Sequence, residues 1–287
     1  MPELPEVETV RRGLAPVLEG RILTRVEVRR PNLRFPFPDH FSARLEGARV
    51  IHLDRRAKYL VAHLDTKEAL IMHLGMSGRF SVTDQNSTKS FDDYTYSTGG
   101  DPKHDHVVLY IEGGSQIIYN DPRRFGFMDI IASSQLETCK HFAAMGPEPL
   151  GNNFNAAVLN NAFDGKKTPI KAALLDQRNV AGLGNIYVCE ALYRSGIAPE
   201  RQAGSLTTLE VETLTAKIRA VLIDAIAAGG SSLRDFAATN GALGSFQERF
   251  DVYGREGQPC RCGSDTGIVT RLVQSGRSTF YCPACQR

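Results

Sequence analysis

Hydrophobic periodicity changes along this chain at about residues 20, 131 and 250, and those changes limit the fold more than composition does. Val7, Val10, Leu14, Val17 and Leu18 recur at three- and four-residue steps, the spacing of one helical face, and Gly20 ends the run. Between residues 21 and 131 the apolar runs become short and β-rich, which predicts strands over 22–28, 50–53, 59–64, 69–74, 107–111, 116–119 and 125–131. Glu112-Gly113-Gly114-Ser115 reads as a hairpin turn. Beyond Pro149 the helical period returns, with helices expected over 156–163, 169–177, 185–195, 207–228 and 231–237. The longest sets Leu209, Leu214, Ile218, Val221, Leu222, Ala225 and Ile226 on one face. Strands followed by helices, not alternating with them, specify an α+β multidomain chain. We expect an N-terminal β-sandwich with a flanking helix over 1–149, a helical part over 150–250 and a small β-hairpin unit over 251–287. Residues 83–103 are polar and aperiodic, as in a surface loop.

A chain of 287 residues with 42% hydrophobic side chains is long enough for two cores, and 23% charged residues is too few for a disordered one. The net charge of +2 announces no nucleic-acid partner by itself. Its distribution says more: Arg29-Arg30, Arg55-Arg56 and Arg123-Arg124 are local basic patches, and five arginines from Arg255 onward face only Glu256 and Asp265. The opening Met-Pro-Glu-Leu-Pro-Glu lacks the apolar core of a signal peptide, and no apolar stretch reaches the roughly 18 residues that span a bilayer. A cytoplasmic protein without a membrane partner is expected.

Four of the six cysteines crowd into the last 28 residues as Cys260-x-Cys262 and Cys282-x-x-Cys285, a poor layout for a disulfide framework and a good one for a tetrahedral, structural zinc. The first pair is one residue shorter than usual, so whether it supplies both ligands stays open. Between the pairs, residues 268–273 and 278–281 read as strands joined through Gln274-Ser275-Gly276-Arg277, which puts Arg277 at the tip of a zinc-pinned hairpin. An exposed Arg there serves a phosphate, a reaction or only solvent; the sequence leaves all three open.

The amino end carries the sharpest chemistry. With Met1 removed, Pro2 is a secondary amine that can form a cationic Schiff base with a sugar aldehyde carbon. An α-amine of pKa near 8 is about 10% unprotonated at pH 7, against below about 0.1% for lysine, so the terminus is the better nucleophile. Glu3 is held beside it as a general acid or base, with Glu6 nearby. Pro and Glu also start helices for structural reasons alone. Lys58 opens a predicted strand as a phosphate contact, a proton donor or a solvated charge. His104-Asp105-His106 lacks a third metal ligand, and DNA contact suits His106 better. Gly182-Leu183-Gly184-Asn185 fails as a dinucleotide loop because Tyr187 stands at the third glycine position and a helix precedes it. A helix opened by Asn185 still offers N–H groups to one phosphate, and an ordinary helix–helix turn fits the same residues.

Together Pro2-Glu3-Leu4-Pro5-Glu6-Val7-Glu8-Thr9, Lys58, His73-Leu74-Gly75-Met76-Ser77-Gly78, Asp121-Pro122-Arg123-Arg124-Phe125-Gly126, Gly182-Leu183-Gly184-Asn185-Ile186-Tyr187 and the cysteine tail closely resemble formamidopyrimidine-DNA glycosylases across essentially the whole chain. The resemblance implies a bifunctional base-excision repair enzyme working as a monomer on double-stranded DNA that contains oxidised purines or abasic sites, without an obligate protein partner. It implies that Pro2 attacks C1′ of an extruded 8-oxoguanine or formamidopyrimidine nucleotide and that Glu3 assists opening of the sugar. Lys58 is implied as a proton donor in β-elimination, and Arg277 holds the family's position for δ-elimination. Met76, Arg123 and Phe125 match residues that fill the hole left by the flipped base. His106, Arg124, Lys167, Lys171 and Asn185 match DNA-contacting positions. The helical part is implied to be a helix-two-turns-helix domain, with 229–247 holding the damaged base, and the tail a zinc-bound β-hairpin.

Rival readings are a related glycosylase of the endonuclease VIII type, against which Leu4 and the Met76, Arg123, Phe125 set argue, a catalytically silent lesion-binding zinc protein, and a zinc ribbon for protein contacts alone.

Overall fold

Helix α1, Leu4–Leu18, forms because Leu4, Val7, Val10, Leu14 and Leu18 bury one stripe while polar residues line the rest. It begins the first of two compact units in the computed structural model, Met1–Ala143 with Ala228–Ser245; the second comprises Ala144–Ala227 and Phe246–Arg287. The structure describes residues 2–84, 101–231, 244–262 and 267–287.

The first unit is a β-sandwich, as expected. Strands β1 (Leu23–Val28), β2 (Val50–Arg56), β3 (Tyr59–Leu64), β4 (Glu68–His73), β5 (Arg79–Asp84), β6 (Asp105–Ile111), β7 (Ser115–Asn120) and β8 (Phe127–Ala132) make two four-stranded antiparallel sheets, ordered β1-β6-β7-β5 and β2-β3-β4-β8. The inward residues of both sheets meet α1 in one core that includes Val10, Leu14, Leu53, Leu60, Leu70, Leu109, Ile117 and Met128. Each such side chain taken from water contributes about 1.5–3 kcal/mol.

The periodicity missed two elements. Strand β5 is mostly polar, and only Phe80 and Val82 face the core, which is too few for a period-2 signal. Helix α2, Phe41–Leu45, is a little over one turn long. The expected loop over 83–103 begins with the last two residues of β5 and ends near β6; residues 85–100 lie outside the described set.

The second unit contains α3 (Ala156–Phe163), α4 (Ile170–Leu175), α5 (Asn185–Arg194) and α6 (Thr208–Ala227), then a hairpin of β9 (Thr270–Gln274) and β10 (Arg277–Tyr281). α6 buries Val211, Leu214, Ile218, Val221, Leu222 and Ala225, but Leu209, expected on that face, is 71% exposed in the first turn. Glu190 of α5 is fully buried and accepts the N–H groups of Asp251, Val252 and Tyr253 at 2.8, 3.0 and 2.8 Å. Burial pushes its carboxyl up despite those donors. Of the helix expected over 231–237, all but Ser231 lies outside the described residues. No helix among the described residues is long and apolar enough to cross a membrane.

Candidate functional site

Pro2 and Glu3 are buried immediately before α1. Glu3 is the N-cap, and Glu6 completes a capping box by accepting the Glu3 N–H at 2.9 Å. The other oxygen of Glu6 accepts the N–H and hydroxyl of Ser231 at 2.8 and 2.9 Å, so one buried carboxylate clamps the amino end to the 230–231 segment. There Ser231 bridges Ser245, closing the two ends of the 232–243 segment, which itself lies outside the described residues.

α1 lies along β2. Glu19 accepts the Leu53 N–H at 2.8 Å, and Glu8 accepts from Arg55 at 3.3 Å, so the helix runs backwards toward the β2–β3 turn as it nears Glu3. Burial works to raise the Glu8 carboxyl, but the guanidinium groups of Arg11, Arg12 and Arg55 hold it below its ordinary value. The turn is Ala57-Lys58, with Ala57 in the left-handed region at φ 53°. Lys58 is only 9% exposed there, although a hairpin turn normally sheds its charge to water.

The ring of His73, at the end of β4, lies against Tyr59 and Phe127, and its Nδ1 accepts the Gly75 N–H at 3.0 Å. Burial first, and then the charges of Lys58 and Arg34, bring its pKa from 6.5 down to about 4. Unfolding therefore takes up a proton between those values, so His73 contributes stability above pH 6.5 that is lost as the pH falls toward 4. The loss is expected to be about 1–3 kcal/mol. Denaturant titrations at pH 7 and 4.5 should show it in the parent and lack it in His73→Gln; equal pH dependence in both would refute it.

Two loops of the same unit present the residues matched to base replacement. The turn after β4 carries half-buried Met76, and the turn between β7 and β8 carries exposed Arg123, Arg124 and Phe125. The Arg123 guanidinium carbon sits 5.1 Å from the Phe125 ring centroid, a cation–π pair facing solvent. Phe125 is 43% exposed. His106 is fully buried, with one ring nitrogen 2.9 Å from the Asp121 carbonyl and Nδ1 without a partner among the described residues. Burial lowers its pKa.

In the second unit Lys167 is exposed, and Asn185 opens α5 after a turn that Gln177 holds by accepting the Gly182 N–H at 2.9 Å. Gln177 also donates to the Leu183 carbonyl at 2.9 Å. Asn185 Nδ2 donates to the Ser278 carbonyl at 2.8 Å, and Lys171 Nζ donates to the same carbonyl at 3.1 Å and to Thr279 Oγ1 at 2.6 Å. Lys171 is 1% exposed, so its ammonium is spent on β10. The hairpin turns through Ser275 and Gly276, both at positive φ as a tight two-residue turn requires, so exposed Arg277 begins β10 opposite Gln274 instead of forming the tip. Asn185 and Lys171 thus fix the Ser278–Thr279 peptide, one residue beyond Arg277.

All four expected cysteine ligands converge. The sulfurs of Cys260, Cys262, Cys282 and Cys285 lie within 4.8 Å of one another, with Cys260–Cys285 at 3.4 Å and Cys282–Cys285 at 3.6 Å. Zn–S bonds of about 2.3 Å place sulfurs at tetrahedral corners about 3.8 Å apart, so this donor set fits one metal ion. Although the Cys262 and Cys285 sulfurs touch, their Cα atoms are 7.0 Å apart, beyond the usual disulfide span of about 4.4–6.8 Å. Gly267 approaches Cys260 and Cys282 so closely that a Cβ there would crowd both.

Sequence patterns point to these elements but not to the Glu6–Ser231 clamp, the burial of His73 or the partners of Asp121. No local spacing signals a bond across 225 residues, as between Glu6 and Ser231.

Comparison with known proteins bears on the family and the fold. Family models for the formamidopyrimidine-DNA glycosylase N-terminal domain and the formamidopyrimidine-DNA glycosylase H2TH domain match residues 1–128 and 145–237. The formamidopyrimidine-DNA glycosylase of Ruegeria sp. (strain TM1040) is 55% identical over 287 residues, with both chains fully covered. That of Caulobacter vibrioides (strain NA1000 / CB15N) is 55% identical over 286, again with both chains fully covered. A Lactococcus lactis FPG mutant solved with DNA containing Fapy-dG superposes at TM-score 0.86 with 33% identity, covering all of both chains. The MutM (FPG) protein of Thermus thermophilus superposes at 0.85 with 38% identity, covering 99% of this chain and 98% of that one.

Proposed function

The chain belongs to the formamidopyrimidine-DNA glycosylase family, and from that membership we propose how its own residues perform the reaction. It is a base-excision repair enzyme, a DNA glycosylase with abasic-site lyase activity, and it acts on DNA carrying oxidised purines. The Pro2 amine attacks C1′ of the extruded nucleotide as the bond from C1′ to the base breaks and the base leaves. Glu3 protonates the ring oxygen as the sugar opens, and the Pro2 nitrogen gives up its own proton as the C1′ iminium forms. The resulting iminium draws electrons from C1′, so the C2′ proton becomes removable and the C3′–O bond breaks. Lys58 supplies a proton in that β-elimination, and Arg277 serves the δ-elimination that leaves a one-nucleotide gap flanked by phosphates.

Met76, Arg123 and Phe125 fill the space of the lost base, while Arg124, Lys167 and Asn185 hold phosphates. His106 and Lys171, both buried, serve the DNA by supporting the Asp121 turn and the Arg277 hairpin. Cys260, Cys262, Cys282 and Cys285 hold one structural zinc that fixes the hairpin and takes no part in the bond changes. Catalysis resides in 1–149, duplex binding in 150–250 and the hairpin in 251–287, in a monomer acting on cytoplasmic DNA.

The observation that most supports this assignment is the burial of Lys58 in a two-residue turn toward which the Pro2-Glu3 end of α1 runs. Duplexes with a single 8-oxoguanine opposite cytosine, a single thymine glycol, or no lesion test it. The first should be nicked to products with phosphate on both ends, and the last not at all. Preferential nicking of thymine glycol would favour the endonuclease VIII type.

A further inference from the structure

We propose that Asp121 is the positioning residue that locks the Met76 loop and the Arg123–Phe125 loop into one wedge, so that the residues replacing an extruded base enter the duplex together. The inference rests on the proposed role of those three side chains and identifies what sets them.

Asp121 is fully buried directly after β7, and a carboxylate is not kept there without partners. Both of its oxygens are engaged. One accepts the Ser77 hydroxyl at 2.6 Å; the other accepts the Gly126 N–H at 2.9 Å and the Tyr119 hydroxyl at 3.2 Å. The Ser77 oxygen in turn accepts the Arg123 N–H at 3.1 Å, so the link between the loops runs in both directions. The Asp121 carbonyl accepts the Arg124 N–H at 3.2 Å and meets the His106 ring at 2.9 Å. Ser77 follows Met76, and Gly126 follows Phe125, so each bond falls one residue from a wedge side chain.

The backbone leaves no slack. Gly75 has φ +64°, and a Cβ there would fall inside the Phe125–Gly126 peptide; a Cβ on Gly126 would overlap the Tyr119 hydroxyl. Arg124 holds φ 56°, a conformation that arginine rarely adopts, across the span closed by its bond to Asp121. Two separate turns are thereby set at one distance, with Arg123 over Phe125.

This arrangement matters where a base must be forced from its stack and matters less where the base is already missing. Ser77→Ala removes both Ser77 bonds, to the Asp121 carboxylate and from the Arg123 N–H, and leaves Asp121 its bonds to Gly126, Tyr119 and Arg124. Asp121→Asn keeps the shape but removes the charge and leaves one acceptor oxygen where the carboxylate offers two. Each variant would be assayed with the parent on an 8-oxoguanine·cytosine duplex and on a preformed abasic-site duplex, with 2-aminopurine beside the lesion reporting unstacking. Excision is expected to fall about 10- to 100-fold, with slower unstacking, while abasic nicking falls less than about threefold. Equal losses on both substrates, or no loss of excision in Ser77→Ala, would overturn the assignment. The parent's activity on the lesion duplex reports on the proposed function, and the ratio between substrates reports on Asp121.

Discussion

Replacing Pro2 by glycine is expected to lower turnover on an 8-oxoguanine duplex by about 10²-fold or more, while duplex affinity changes little. A secondary amine gives an iminium that is cationic without any proton. A primary amine gives an imine that must first be protonated, so much of the electron sink is lost. Glycine also frees the amino nitrogen just before the Glu3 cap, where the pyrrolidine ring holds it against rotation about N–Cα, and so loosens the direction of attack. The substitution lies ahead of α1, and the bonds from Glu6 to Glu3 N–H and Ser231 remain, so the melting temperature should barely move. Single-turnover kinetics with a filter-binding control separates the two effects. A loss of affinity as large as the loss of rate would assign Pro2 to binding instead.

The second large effect is expected at the cysteines. The parent should contain one zinc per chain, and Cys282→Ala should contain none, with hairpin order lost. Structural zinc in small fingers is worth about 10–16 kcal/mol of apparent folding free energy, far more than the two short strands β9 and β10 can supply alone. Because the hairpin presents Arg277, DNA affinity and the steepness of its salt dependence should both fall. Chelator should reproduce the defect and zinc reverse it, whereas thiol reductant should have no effect. Inactivation by reductant with no response to chelator would establish a Cys262–Cys285 disulfide in place of the metal.

Legibility in the sequence followed the range of the interactions. The sandwich strands, α1 and the four helices α3 to α6 announce themselves through local periodicity, and the cysteine cluster through spacing. β5 was illegible because its polar residues outnumber Phe80 and Val82. Leu209 fits the apolar period of α6 but falls in its first turn, where the structure leaves it exposed. The burial of polar residues was least legible of all. Lys171, matched in the sequence to a DNA-contacting position, is met in the interior by Thr279, 108 residues away, and Asp121, noted in the sequence only as part of its motif, by Ser77, 44 residues away. Such groups are buried only because distant partners arrive, and no window of sequence contains both.

The most direct test of the central claim is borohydride reduction of the protein on a duplex carrying one 8-oxoguanine opposite cytosine, followed by peptide mapping of the adduct. A covalent complex on the Pro2 nitrogen is expected, seen only with damaged DNA and strongly reduced in Pro2→Gly. An adduct mapped to Lys58, or none despite tight and lesion-specific binding, would contradict it.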